Sequence, residues 1–275
     1  LGDTTLFHQT CEAVSDRHPP RGAKWVTEPD LAQVPQAGPL AIGRIPSISE
    51  IVVALTALTS GIGCYVFPDK VLSGSRQDAE RGAGNGLNDQ ATNYLDTLSE
   101  IVRNLQDLHL RKGIVASLQR VNPSISSVEL NDIQNPEHVV VGHRFNGKTL
   151  ELQLAQESDG FRRFYAHLLA LYQRPPKQSV LFEHPEDGIH PGALSLLADE
   201  FKAAPADGRG QVILTTHSPR LLDHFHEDQI RVVELDGFQT RIGRIALEQR
   251  EALQNDLLDA GDLLTVDPAR LASPV

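Results

Sequence analysis

The chain has 275 residues, 40% of them hydrophobic and 22% charged, with a formal net charge of -11. That is enough apolar material for one large domain or two small ones, and the acidic balance argues against a globally basic nucleic-acid binder. Cys11 and Cys64 are the only cysteines, too few for a disulfide framework, and no apolar run reaches the roughly 18–20 residues that span a bilayer.

The opening residues, LGDTTLFHQTCEAVSDRHPPRG, show no basic-then-apolar leader. A cytoplasmic protein with no membrane segment is expected. Methionine is absent throughout and the chain starts at Leu1. We therefore expect an N-terminal part, and the methionine positions, to be missing from these residues.

Residues 1–46 are rich in Pro, Asp and Gly and read as irregular structure with one strand. SISEIVVALTALTSG (Ser47–Gly61) has the apolar density of a helix, with Ser47 or Ser49 as N-cap and Gly61 as stop. CYVFPDKV reads as a short strand cut by Pro68. Leu72–Asp89 is polar and Gly-rich, hence a loop. From Gln90 to Val121, apolar residues such as Leu95, Leu98, Ile101 and Leu105 recur at three- and four-residue spacing. That predicts an amphipathic helix and a second one from Leu110. HVVVGHRF and KTLELQL flank Asn146-Gly147, the favoured two-residue hairpin turn.

Ser158–Gln173 opens with Ser and Asp and keeps its apolar residues on one face, as a capped helix does. SVLFE is a buried strand, PGALSLLADEFKAA a helix with Pro in its first turn, and GQVILTTHSP a second buried strand. A helix near Arg220–Phe225 and a hairpin around Asp236-Gly237 follow. This alternation implies an α/β layer with a parallel central sheet. Ligands of such sheets sit beyond the carboxyl ends of the strands. Two strand ends carry unusual chemistry: Glu183-His184-Pro185-Glu186 and Thr215-Thr216-His217-Ser218-Pro219. If these strands are neighbours, Glu183 and His217 converge on one crevice.

The order of these motifs is SDG at a helix start, an apolar strand ending in acids, HP before a helix, then a strand ending in TTHSP. It resembles the C-terminal half of ABC-type ATPases of the SMC, RecF and OLD kind, and most nearly the bacterial ATPases labelled AAA-family. The resemblance is close over about Gln153–Pro219 and loose elsewhere. Each motif alone is weak; their order is specific. The resemblance implies an ABC-ATPase-like P-loop NTPase core with a parallel central sheet, a helical signature-motif subdomain and β-hairpins. It implies one domain over 1–275: a helical insert region and hairpin to residue 150, a signature, Walker B and switch-histidine core over 151–247, and a C-terminal helix and tail over 248–275. ATP and Mg²⁺ are the implied cofactors and a homodimer closed around ATP the implied assembly. DNA repair or defence against phage is the implied setting, with DNA or a nuclease as a further partner.

The resemblance also implies roles. Ser158, Asp159 and Gly160 match the signature motif, which closes on the γ-phosphate held by the partner subunit. Backbone N–H groups and a hydroxyl at a helix N-terminus suit an anion, and Arg162 adds positive charge. Glu183 matches the acidic residue that holds Mg²⁺, usually through water. His217 matches the switch histidine that senses the γ-phosphate. There are two departures. His184 stands where the family has the glutamate that polarises the attacking water. Either His184 takes that catalytic role, or Glu186 covers it, or the protein is a nucleotide-binding switch or scaffold with little hydrolysis. Secondly, no GxxxxGK[ST] phosphate loop occurs: SGIGCYVF and RGAGNGLN have glycines but no following Lys-Ser/Thr. We expect that loop to lie N-terminal to these residues.

Plainer readings stand beside each role. SDG alone is more often a helix cap, Glu183 alone a solvated strand end, and a lone His217 a satisfied histidine. Arg162-Arg163 reads as surface charge. Glu183, His184, His190 and His217 could instead ligate zinc in a hydrolase, although no helical HExxH and no nearby Cys pair accompany them.

Overall fold

The computed structural model describes residues 61–73, 86–103, 108–131 and 139–272, all within the unit Ala54–Val275. The expectations for residues 1–46, for the helix over 47–60 and for the middle of the Gly-rich loop lie outside the described residues. In chain order the elements are β1 (Ile62–Tyr65), α1 (Tyr94–Arg103), α2 (Leu108–Val121), β2 (Ile125–Leu130), β3 (Val139–Phe145), β4 (Lys148–Gln153), α3 (Asp159–Tyr172), β5 (Ser179–Glu183), α4 (Leu194–Ala203), β6 (Gln211–Thr215), α5 (Pro219–Leu222), β7 (Val232–Asp236), β8 (Gln239–Gly243), α6 (Leu247–Gln254) and α7 (Asp262–Thr265).

β1, β5 and β6 form a parallel sheet in that order, β2, β3 and β4 an antiparallel one, and β7 and β8 a hairpin. The fold is mixed α/β with a parallel core sheet, antiparallel hairpins and helices, as the sequence implied. β1 stops at Tyr65, ahead of Pro68. Val66 has already left the sheet, and its N–H donates to the Asp89 carbonyl at 3.0 Å. The hairpin of β3 and β4 turns on Asn146 at φ 50 and Gly147 at φ 76, the two left-handed residues that a tight primed turn requires.

α3 is the centre of the packing. Ser158 caps it, its hydroxyl accepting from the Phe161 N–H at 3.2 Å. Every residue from Phe161 to Leu171 is buried. The one-sided helix expected from the sequence is therefore covered all round. Arg162 and Arg163 are 8% and 6% exposed, so they are not the surface charges their residue type suggested.

One face of the parallel sheet carries Tyr65, Val180 and Phe182 into the main core. The Phe182 ring stacks on Phe201 of α4 at 5.0 Å and meets His167 of α3 at 4.9 Å. The other face is more open, with Ile62 43% and Ile213 47% exposed. β6 therefore departs from the buried strand expected. It pairs with β5 on one side, and its two-residue alternation turns Gln211, Ile213 and Thr215 outward.

A buried polar cluster ties the helices together behind the sheet. The Glu200 carboxylate of α4 accepts from Ser117 of α2 at 2.5 Å, Tyr172 of α3 at 3.3 Å and Arg209 at 3.0 Å. The Arg209 guanidinium lies 4.4 Å over the Tyr172 ring. Phe182 is the aromatic hub next to the acidic strand end. Phe182→Ala should lower the unfolding free energy by about 3–5 kcal/mol, read from guanidinium unfolding. A loss under roughly 1 kcal/mol would show that this face is not packed as described.

Candidate functional site

The two strand ends that carry the unusual residues are neighbours. Glu183 pairs with Thr215 across the ladder, and the next amide, His184 N–H, still donates to the Thr215 carbonyl at 3.1 Å. The chain then turns sharply. His184 adopts φ 45, a left-handed conformation uncommon for a side-chain-bearing residue, and Gly188 adopts φ 68. Asp187 N–H returns to the His184 carbonyl and Ile189 N–H to that of Glu186. This turn lays the His184 imidazole against that of His217, with ring centroids 5.1 Å apart and planes 27° from parallel. Glu183 and His184 thus line one crevice, and His217 lies against His184.

Glu186 joins the two turns. Its Oε1 accepts from the Thr216 hydroxyl at 2.7 Å and from the His217 N–H at 3.1 Å. Its Oε2 is buried without a hydrogen-bond partner. The carboxylate is a strut between the β5 turn and the β6 turn. Ser218 completes the second turn by capping α5, accepting from the Leu221 N–H at 3.3 Å.

A cavity of about 140 Å³ opens in front of the acidic strand end, lined by Val66, Phe67, Arg163, His167, Glu183, His184 and Asp187. A drug-sized ligand needs roughly 300 Å³ or more, so this space alone does not enclose a nucleotide. It suits a few waters or a hydrated cation. Glu183 and Asp187 offer it hard oxygen donors, the chemistry that Mg²⁺ takes with most of its waters retained.

Ser158, Asp159 and Gly160 lie beside this crevice. A Cβ on Gly160 would stand 3.0 Å from the Gly188 carbonyl oxygen, so the start of α3 runs directly against the turn after β5. Asp159 is half-exposed but fully partnered. Its Oδ1 accepts from the Lys70 N–H and from Arg162, both at 3.2 Å, and its Oδ2 from Arg163 at 2.9 Å. Desolvation pushes the Asp159 carboxyl up, but the bonds and charges of Arg163 and Arg162 outweigh it and hold the group below its ordinary value.

Both arginines are fully engaged. Arg162 donates to the carbonyls of Val71 (3.1 Å), Ala155 (3.1 Å) and Glu157 (2.6 Å), and to Asp159. Arg163 donates to the Phe67 carbonyl at 3.1 Å, to Asp69 at 2.6 Å and to Asp159. The guanidinium of Arg162, expected to add charge toward phosphate, is spent on holding the protein's own loops.

The four proposed zinc ligands do not come together. His190 Nδ1 accepts from the Gly192 N–H at 3.0 Å and caps the turn into α4. Among the described residues, the group close enough to share an ion is His226, Glu227 and Asp228. Its carboxylates are already bonded to Gln254 at 2.8 Å and Arg250 at 3.2 Å.

A protein-family profile described as "AAA domain, putative AbiEii toxin, Type IV TA system" matches residues 13–223, a span that includes Ser158–Gly160, Glu183, His184, Glu186 and His217. The chain belongs to this AAA family. It is an AAA-type, ATP-binding domain of the P-loop ATPase class. No curated protein matches it. Among solved structures, one described by "ATP-driven dimerization and DNA stimulated activation of SMC ATPases" aligns at 14% identity and a TM-score of 0.40, covering 54% of this chain and 90% of that one. The Smc head domain of Pyrococcus yayanosii with its coiled coil and joint aligns at 15% identity and 0.40, covering 60% and 32%. An Smc head bound to the C-winged helix domain of ScpA aligns at 13% and 0.42, covering 57% and 49%. The AAA domain spans less than half the length of the last two. These likenesses are remote, and membership rests on the profile. No described helix is long and apolar enough to cross a membrane.

The sequence reading passed over His167, which lies within an apolar helical run. Burial drives its pKa from 6.5 down to about 4, against a partial lift from its Nδ1–H bond to the Arg163 carbonyl at 2.8 Å. A histidine held neutral in the fold takes up its proton first in the unfolded chain. Stability should therefore fall as pH drops from about 6.5 to about 4, by on the order of 3 kcal/mol at most. His167→Phe should flatten that window in denaturant titrations at stepped pH. An unchanged slope would place the protonation on another group.

Proposed function

We propose that this AAA domain hydrolyses ATP at a site completed by a second copy, closing as an ATP-sandwiched dimer and reopening on hydrolysis. The observation that carries the reading is the β5–β6 register, which brings Glu183, His184 and His217 to one strand end. Glu183, with Asp187 beside it, would hold Mg²⁺ through water, and the ion would supply charge neutralisation for the phosphates. His217 hydrogen-bonds the γ-phosphate. His184 orients the attacking water and takes its proton. Glu186 positions His217 through its backbone, its Oε1 accepting from the Thr216 hydroxyl and the His217 N–H.

Ser158 supplies the opposite half of the sandwich. Its oxygen accepts the cap bond from Phe161, which leaves the hydroxyl proton to donate to a phosphate of the partner copy. α3 adds the partial positive charge of its N-terminus. The β- and γ-phosphates need a phosphate loop that residues 1–275 do not supply, because no GxxxxGK[ST] occurs within them. The setting is defence against phage or DNA repair, and the family description adds a toxin of a TA system as a third. DNA or a nuclease is the further partner and the cytoplasm the setting. A second reading, a switch with little turnover, is favoured by a histidine at position 184 where the resembling ATPases carry an acid.

The two readings separate in ATPase assays on the protein with its phosphate loop present. Glu183→Gln and His217→Ala should each lower turnover by about a hundredfold or more. His184→Glu should lower it or leave it unchanged; a sharp rise would establish the slow switch instead. A wild-type protein that neither binds ATP nor associates with it would end both readings.

A further inference from the structure

We infer that a hydrogen-bonded chain, Ser124–His143–Glu157, sets the position of the signature turn, and that His143 is a positioning residue for closure on ATP. This rests on the ATP-sandwich reading of Ser158. Ser124 sits at the corner between α2 and β2, His143 on β3, and Glu157 immediately before Ser158. The Ser124 hydroxyl meets His143 Nδ1 at 2.9 Å, and His143 Nε2–H donates to the Glu157 carboxylate at 2.7 Å. The His143 and Glu157 side chains are 12% and 9% exposed. Water therefore screens this contact far less than it screens a surface pair.

Serine, histidine and carboxylate in a row is also the order of a hydrolytic triad. The serine argues otherwise. Asn122 Oδ1 lies 2.8 Å from the Ser124 hydroxyl and 3.1 Å from its N–H, and Ile125 N–H closes the same turn onto the Asn122 carbonyl. The hydroxyl is one arm of a turn bracket. The far end of the chain is where its effect falls. Glu157 is held three ways: its side chain by His143, its carbonyl by Arg162 at 2.6 Å, and its N–H by the Leu154 carbonyl at 3.2 Å. With Glu157 fixed, the extended backbone of Ser158, at φ -61 and ψ 152, aims its hydroxyl and the first turn of α3. Of the three, only the His143 bond comes from a strand, β3 of the antiparallel sheet. The antiparallel sheet thereby determines where the signature group stands.

The test compares His143→Phe, Glu157→Gln and Ser158→Arg in the phosphate-loop-containing protein, following nucleotide affinity of the monomer, ATP-dependent dimerisation and turnover. His143→Phe should weaken dimerisation and turnover about tenfold while monomer affinity for ATP stays at the wild-type value. Glu157→Gln keeps an acceptor at Oε1 and should restore most of the closure. Should His143→Phe not fold, Glu157→Ala removes the same bond from the other end and carries the test. Closure equal to wild type in the folded variant overturns the inference, even if its melting temperature has fallen. So does a parallel loss of monomer affinity. Ser158→Arg tests the parent reading separately: normal closure in that variant removes the signature role itself, whatever His143 does.

Discussion

Two guanidinium groups buried beside the first turn of one helix dictate where the surrounding backbone must lie. Charges taken out of water are tolerated only when their donors are satisfied. Arg162 and Arg163 reach that state by collecting carbonyls from residues 67–71 and 155–157, and carboxylates from Asp69 and Asp159. The loop after β1, the turn before α3 and the helix start are thereby drawn to one place. The crevice at the strand ends has its walls because of these bonds.

The acidic strand end is organised by the same economy of partners. His184 takes a left-handed backbone at the point where β5 ends, a local cost that persists only where surrounding contacts fix it. Those contacts are present: the ladder bond to Thr215, the return bond from Asp187 and the imidazole stack on His217. Glu186 bridges the two turns from beneath. A residue that looks like a spare acid in the linear motif is a structural strut in three dimensions.

Much of the architecture was legible in the sequence, because it is written in local patterns. The Asn-Gly turn, the Ser158 cap, the strand at 179–183 and the helix behind Pro191 each depend on neighbours a few residues away. The order of the motifs pointed to the ends of β5 and β6, which are neighbours in the sheet. What was not legible depends on partners far along the chain. Arg162 and Arg163 read as surface charge because Val71 and Phe67, which satisfy them, lie 91 and 96 residues away. Glu186 and Thr216 are 30 residues apart, and no periodicity links them. His167 sits in FYAHLLAL, where only its aromatic surroundings from three other elements reveal that it is neutral. The outward face of β6 was hidden for a related reason, since an apolar run does not show on how many sides its strand is paired.

The contact between Gly160 and Gly188 has a mechanical meaning. Most helices meet a neighbouring turn through side chains, which can change rotamer and absorb small displacements. Here backbone lies on backbone, and a methyl group on Gly160 would fit only if the Gly188 carbonyl gave way by a few tenths of an ångström. The joint has no slack. A shift in the turn that carries His184 therefore presses on the start of α3 with no side chain between them. The turn after β5 and the start of α3 are geared directly to each other, and a single added carbon at Gly160 would wedge that gear apart.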